Sequence, residues 1–296
     1  MTADLKGMTA VITAGGIGTR LLPFSKEIPK EMCPILTKDS SDNILVKPII
    51  QAIFEQLYDC GIRDFFTVVG RGKRAIEDHF TPDQGFLEIL KSRGKKTDVL
   101  DCYYKKLSMS NIVFIMQPQP LGFGDAVLKT KRRLLGEFLV HAGDTYIISE
   151  DDSYLSRLKA AHAVYNADVT VLLKEVSNPR HYGVVVGEEL SEGIVRIEKA
   201  IEKPELLVSK LAIMPAYIFN HSIFDALENT PPGKGGEIQL TDAIQLLISQ
   251  GRKVLGVQLT PQDIMLDIGT PETLIEALWM SSRYMSRSFA EPVVVA

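Results

Sequence analysis

Residues 8–20 read MTAVITAGGIGTR. The first seven are short, apolar and β-branched, as in a strand buried on both faces. Gly15-Gly16-Ile17-Gly18-Thr19-Arg20 then make a glycine-rich turn. Such a turn exposes backbone N–H groups, and a helix start there favours anions. It could also be a tight turn needing only positive φ. The stretch is not a P-loop, since no G-x-x-x-x-G-K-[ST] occurs in the chain. Nor is it the full dinucleotide fingerprint, because Leu21 stands where the third glycine belongs. Arg20, Lys26 and Lys30 follow closely. Nucleotidyl transfer needs fixed positive charge beside a triphosphate, so these cations favour phosphate binding, although two of the three could be solvated surface charges.

Outward from this turn the pattern alternates. Residues 47–60 carry Ile49, Ile50, Ile53, Phe54 and Leu57 at helical spacing, with Gly61 where a helix ends. Strands are expected at 64–69, 111–116 and 137–142. Helix is expected over 73–107, with breaks near Pro82 and Gly94, and over 124–135. Strand-helix alternation predicts right-handed crossovers and a largely parallel sheet covered on both faces. After residue 150 strands crowd together at 168–173, 182–187, 193–199 and 211–219, which suggests a mixed, β-rich part. Helices are expected at 152–166, 236–250 and 271–285, the last with Thr270 as N-cap and Pro271 in its first turn. One domain over 1–286 is expected, with a nucleotide-binding part at about 8–150, a sugar-binding part at about 151–270 and a C-terminal helix at 271–286. Residues 287–296 read as a flexible tail.

Composition narrows the classes. The chain has 296 residues, 45% of them hydrophobic, enough for a core without staples. Its 33 basic and 37 acidic side chains leave a formal charge of −4, so nucleic acid is not an expected partner. Three cysteines, at 33, 60 and 102, form neither a disulfide framework nor a zinc cluster and fit a reducing cytoplasm. No apolar run approaches the roughly 20 residues of a membrane span, and the N-terminus lacks a signal-peptide profile.

The segment from Ala14 to Met32 resembles the signature of the sugar-1-phosphate nucleotidyltransferases. The resemblance continues through VGRGKRAIEDHF at 69–80, QPQPLGFGDAV at 117–127, IEKP at 201–204 and PPGKGGEIQLTDAI at 231–244. The blocks at 69–80 and 231–244 are similar to those of the bacterial UTP-glucose-1-phosphate uridylyltransferase branch. The resemblance implies a Rossmann-like α/β fold of the nucleotide-diphospho-sugar transferase type, with a mostly parallel sheet and a smaller β-rich sugar-binding lobe. It implies uridylyl transfer from UTP to glucose 1-phosphate, with Mg²⁺ as cofactor, in a cytoplasmic homodimer or homotetramer.

It also implies roles. Ala14, Gly15, Gly16, Gly18 and Thr19 belong to the nucleotide site, and the loop amides cradle phosphates. Arg20 binds the leaving pyrophosphate. Lys30 neutralises the α-phosphate as charge develops. Asp144 and Asp267 hold the metal, a pairing that suits Mg²⁺ with phosphate oxygens. Read alone, each Asp could be a turn or capping residue at a strand end. Gln117 and Gly122 read the base: a carboxamide suits a pyrimidine edge, and a glycine permits close approach. Gly183, Glu202, Lys203 and Glu237 belong to the sugar phosphate site, with Tyr182 beside the ring. Read locally, Glu202-Lys203-Pro204 is a solvated loop, and Glu237 could simply favour a helix N-terminus.

Around Asp267 the wording LDIGTPE is nearer the thymidylyltransferase branch, and QPQPLG at 117–122 departs from the common uridylyltransferase form. Transfer from dTTP, or to another sugar phosphate, is therefore the near alternative. A glycosyltransferase would need an Asp-x-Asp motif, which the chain lacks. A non-catalytic nucleotide-sugar binder is disfavoured by Arg20, Lys30 and Asp144 together. The five histidines show no metal-binding spacing.

Overall fold

The computed structural model describes residues 4–39 and 41–286, so the expected tail at 287–296 lies outside the described residues. The buried strand is β1 (Thr9–Ala14). A hairpin of β2 (Pro34–Lys38) and β3 (Ile44–Pro48) leads into α1 (Ile49–Asp59). Next come β4 (Asp64–Gly70), α2 (Arg74–His79), α3 (Gln84–Ser92), α4 (Asp98–Ser108) and β5 (Asn111–Gln117). The breaks fall at Pro82 and Gly94 as expected. Then follow α5 (Phe123–Leu128), β6 (Phe138–Ala142) and β7 (Thr145–Ile148). Helix α5 is much shorter than the expected 124–135. Beyond it the chain makes turns, and the Thr130 hydroxyl donates back to the Val127 carbonyl at 2.6 Å, offering the backbone an alternative to helix.

The second half runs α6 (Ser153–Tyr165), β8 (Val169–Glu175), β9 (Gly183–Ser191), β10 (Ile194–Glu202), β11 (Leu211–Phe219) and α7 (Ser222–Glu228). It ends with α8 (Leu240–Ser249), β12 (Val254–Gln258), β13 (Ile264–Asp267) and α9 (Pro271–Ser286). The Thr270 hydroxyl accepts from the Thr273 amide at 3.3 Å, the expected cap of α9.

Nine strands form one sheet in the order β5-β4-β1-β6-β11-β8-β12-β10-β9. The first four are parallel throughout. Beyond β6 only β8 and β12 run parallel, and the other neighbours are antiparallel. The sheet as a whole is thus mixed rather than mostly parallel. The physical reason is connection length: β9 and β10 are joined by a two-residue turn carrying Gly193 at φ 71°, which only an antiparallel hairpin permits. The sheet also curls, and Val184 of β9 pairs with Ala212 of β11. The β-rich part is therefore a continuation of the main sheet.

Alternation along β1 separates two cores. Ala10, Ile12 and Ala14 face α1, α4 and α6, while Val11 faces α5, α7 and α8. Each fully buried Ile or Phe, such as Ile12 and Phe138, contributes about 1.5–3 kcal/mol. This two-faced burial holds the carboxyl ends of the parallel strands at one edge, where open α/β sheets bind ligands.

Candidate active site

The four parallel strands end side by side and deliver Gln117 from β5, Gly70 from β4, the glycine loop from β1 and Asp144 after β6. Contact there is close. A Cβ on Gly70 would sit 2.6 Å from the Gly15 carbonyl oxygen, and one on Gly15 would sit 2.0 Å from Gln117 Oε1. The Gly143 amide donates to the Thr13 carbonyl at 2.9 Å, which fixes Asp144 beside the loop. Gly18 has φ 73° and so needs glycine. The loop runs not into an α-helix but into short 3-10 turns at Thr19–Leu21, Phe24–Lys26 and Lys30–Met32. No long helix dipole therefore stands behind the loop.

A cavity of about 520 Å³ opens on this edge. Gly15, Gly16, Gly18, Thr19, Arg20, Lys30, Gln117, Gly122, Asp144, Gly183, Glu202, Lys203, Glu237 and Asp267 all line it. Ala14 does not: as the last residue of β1 it points into the core, 1% exposed. Lys26 also lies outside, exposed and 3.2 Å from Glu27.

The Lys30 ammonium contacts the Asp144 carboxylate. Asp144 holds the Lys30 pKa above its ordinary value despite burial. Burial pushes the Asp144 carboxyl up, but Lys30 outweighs it and holds it below the usual range. Asp267 arrives from far along the chain because β13 pairs with β7, setting Asp267 opposite Thr145. The Thr145 hydroxyl lies 3.2 Å from Asp267 and 3.4 Å from Asp144. Burial first, then the Asp144 charge, pushes the Asp267 carboxyl up to about 6. Two carboxylates competing for one cation, with hydroxyl support, are a donor set that fits Mg²⁺, whose remaining ligands are usually phosphate and water. Among the described residues no cluster of three or more His, Cys, Asp or Glu offers a complete protein cage.

The opposite wall is the β9–β10 hairpin. Gly183 pairs with Glu202, and a Cβ there would meet Thr241 Oγ1 at 2.5 Å. The Lys203 amide donates to the Tyr182 carbonyl at 3.0 Å, and its ammonium lies 2.8 Å from Glu202. Lys203 has φ 42°, so Glu202-Lys203 is a constrained strand end rather than a loose loop. Glu237 is not at a helix start as one reading had it. Gly235 and Gly236 take φ of 76° and 75°, which breaks the expected 236–250 helix, and α8 begins only at Leu240. Glu237 instead lies extended against Gly122, whose own φ is 103° and whose Cβ would strike Glu237 and Ile238 at 2.8 Å.

Several site residues carry no sequence signal of their own. Glu31, 1% exposed, pairs with Lys73 at 2.7 Å and so ties the Lys30 turn to the segment after β4. Burial pushes the Glu31 carboxyl up, and Lys73 only partly opposes this. His181 lines the cavity beside Tyr182. Thr145 and Gly70 serve through register and backbone contact, which only the fold reveals.

A nucleotidyl transferase family model matches residues 9–281. The chain is 40% identical over 249 residues to a UTP-glucose-1-phosphate uridylyltransferase of Streptococcus pneumoniae serotype 4, covering 80% of this chain and 79% of that protein. It is 34% identical over 270 residues to the enzyme so named from Pseudomonas aeruginosa, covering 89% and 92%. A crystal structure of UDP-glucose pyrophosphorylase complexed with UDP-glucose superposes with a TM-score of 0.79 at 31% identity, over 95% of this chain and 99% of that one. The cavity, its strand-edge position and these similarities converge: the chain is a nucleotidyltransferase and belongs to the nucleotidyl transferase family.

Proposed function

We propose that the chain transfers the uridylyl group of UTP to glucose 1-phosphate by direct in-line displacement. A phosphate oxygen of the sugar phosphate bonds to the α-phosphorus of UTP as the bond to the β-phosphate oxygen breaks. UDP-glucose forms and pyrophosphate leaves. The observation that carries this reading is the meeting of Lys30 with Asp144 between the glycine loop and the Gly183–Glu202 hairpin. Two anions can be held there, one on each side of a fixed cation. The names of the relatives support UTP and glucose 1-phosphate as the pair.

Residue roles follow from placement. Gly15, Gly16, Gly18 and Thr19 offer amides to the triphosphate, and Arg20, near Gly269 at the cavity mouth, suits the departing pyrophosphate. Lys30 lies where negative charge on the α-phosphate would grow, and a compact ammonium suits that place. Glu202 and Glu237 accept from sugar hydroxyls, while Lys203 meets the sugar phosphate. Asp144 and Asp267 would hold Mg²⁺, which when bound offsets phosphate charge and orients the triphosphate. On this reading residues 8–150 hold nucleotide and 151–270 hold sugar, in a cytoplasmic homo-oligomer.

The test is pyrophosphate release with glucose 1-phosphate and UTP, dTTP, CTP, ATP or GTP, with Mg²⁺ or with a chelator. Turnover with UTP well above the others, lost on chelation, is expected. Preference for dTTP would replace the donor, and no release with any triphosphate would overturn the reading.

A further inference from the structure

Gln117 is 3% exposed, yet its side chain forms cavity wall. Its Nε2 donates to the Gly122 carbonyl at 3.1 Å and to Asp125 Oδ2 at 2.9 Å. A carbonyl and a carboxylate can only accept, so both amide hydrogens of Gln117 are committed. The amide cannot turn over without setting its own oxygen against two acceptors, a buried mismatch costly in either place. Oε1 is left facing the glycine loop, over Gly15. Asp125 sits in the first turn of α5, 3% exposed, and its other oxygen lies 2.8 Å from the Lys129 ammonium one turn later. The buried carboxylate is thus balanced from behind, while its front oxygen holds Gln117.

We propose that Asp125 is a positioning residue that sets the base preference of the site by locking the carbonyl of Gln117 over Gly15, where a base seated on the start of the glycine loop would meet it. The proposal rests on the nucleotidyl-transfer reading above. A fixed acceptor pairs with the N3–H of uracil or thymine. Cytosine presents an unprotonated N3 there, and acceptor would face acceptor. Asp125, with the Gly122 carbonyl, disfavours the alternative amide orientation, in which the NH₂ group would face the base and cytosine would be welcome. An acid in the first turn of α5 also suits the helix dipole, but that role would affect every nucleotide alike.

The experiment compares kcat/KM for UTP, dTTP and CTP, each with glucose 1-phosphate, in the wild type and Asp125→Asn. Asparagine has the same shape, and with its oxygen kept on Lys129 its NH₂ group faces Gln117, so that of the two acceptors only the Gly122 carbonyl still opposes the turned amide. The UTP:CTP ratio is expected to fall by about tenfold, with the UTP:dTTP ratio unchanged because both bases carry N3–H. Should Asp125→Asn fail to fold, Asp125→Ser poses the same question, since a hydroxyl also donates or accepts. An equal loss for all three nucleotides would overturn the proposal and leave Asp125 a structural acid. An unchanged UTP:CTP ratio in Gln117→Ala as well would place base reading elsewhere and overturn it too. Failure of the wild type with every pyrimidine triphosphate would instead overturn the underlying reading, which separates the two failures.

Discussion

Asp144 and Asp267 meet because Thr145 and Asp267 are register partners across β7 and β13, and one hydroxyl stands within 3.4 Å of both carboxylates. Bringing two like charges together has a measurable consequence. The Asp267 carboxyl rises from 3.8 to about 6, through burial and then the Asp144 charge. A raised value in the folded state means that folding favours the protonated form. Its contribution is whole below pH 3.8 and is lost as pH rises through about 6. Asp267→Asn should therefore stabilise the metal-free protein at pH 7.5 by about 1–3 kcal/mol while leaving pH 4 stability nearly unchanged. Urea unfolding in chelator at the two pH values measures this, and an equal effect at both would refute the coupling.

Lys30→Ala should lower kcat by about 10²–10³ with a much smaller change in KM for UTP, because its charge matters most as the transition state forms. Steady-state kinetics of pyrophosphate release read the split. Equal loss in kcat and in binding would assign Lys30 to ground-state binding instead.

Glu31 and Lys73 form a buried pair with almost no solvent access. Removing one partner, as in Lys73→Met, leaves a buried charge and should cost about 3–5 kcal/mol. The double change Glu31→Met with Lys73→Met should recover much of that stability. Because Glu31 sits next to Lys30, the single variant should also lose turnover. Denaturant midpoints and kcat measured together test both parts, and a single variant as stable as the wild type would contradict the burial argument.

Gly70→Ala should damage the site although Gly70 lines no part of the cavity. Its Cβ would meet the Gly15 carbonyl oxygen at 2.6 Å, and a backbone atom cannot swing aside as a side chain can. A stability cost of about 1–3 kcal/mol and a fall in kcat/KM for UTP are expected. Wild-type kinetics in this variant would show that the loop tolerates displacement.

The legible part of the molecule is its local part. Gly15 to Lys30 lie in one stretch, and chemistry carried by neighbours in sequence can be read from sequence. The neighbouring parallel strands β1, β4, β5 and β6 are legible because each is a run of apolar residues ending at a turn, whereas β12, parallel to β8, is not. Strand β13 is not legible as a strand, since IMLD is four residues without alternation; the local sequence places Asp267 at the end of an apolar run, and the resemblance favours a metal role over a turn or cap. Glu31 gave no sign of burial, because its partner Lys73 lies 42 residues away. Asp125 reads as an ordinary helix-start acid until Gln117 is placed against it. The helix start at 236 was misplaced because nothing in KGGEIQ discloses that two glycines turn left-handed. Register and distant pairing are hidden in the sequence, and so are local backbone turns, such as those at Gly235–Gly236 and after Leu128, that no residue type announces.

The pairing of β7 with β13 also sets a schedule for the cell. Thr145 and Asp267 are 122 residues apart, so a ribosome adding about 5–20 residues per second takes roughly 6–25 s to pass from one to the other. During that interval the nascent chain already holds the glycine loop, Lys30 and Asp144 but no second carboxylate. Lys30 is then the cation at hand for Asp144. A product truncated before β13 would keep all nine strands of the main sheet and yet lack half of its acidic pair.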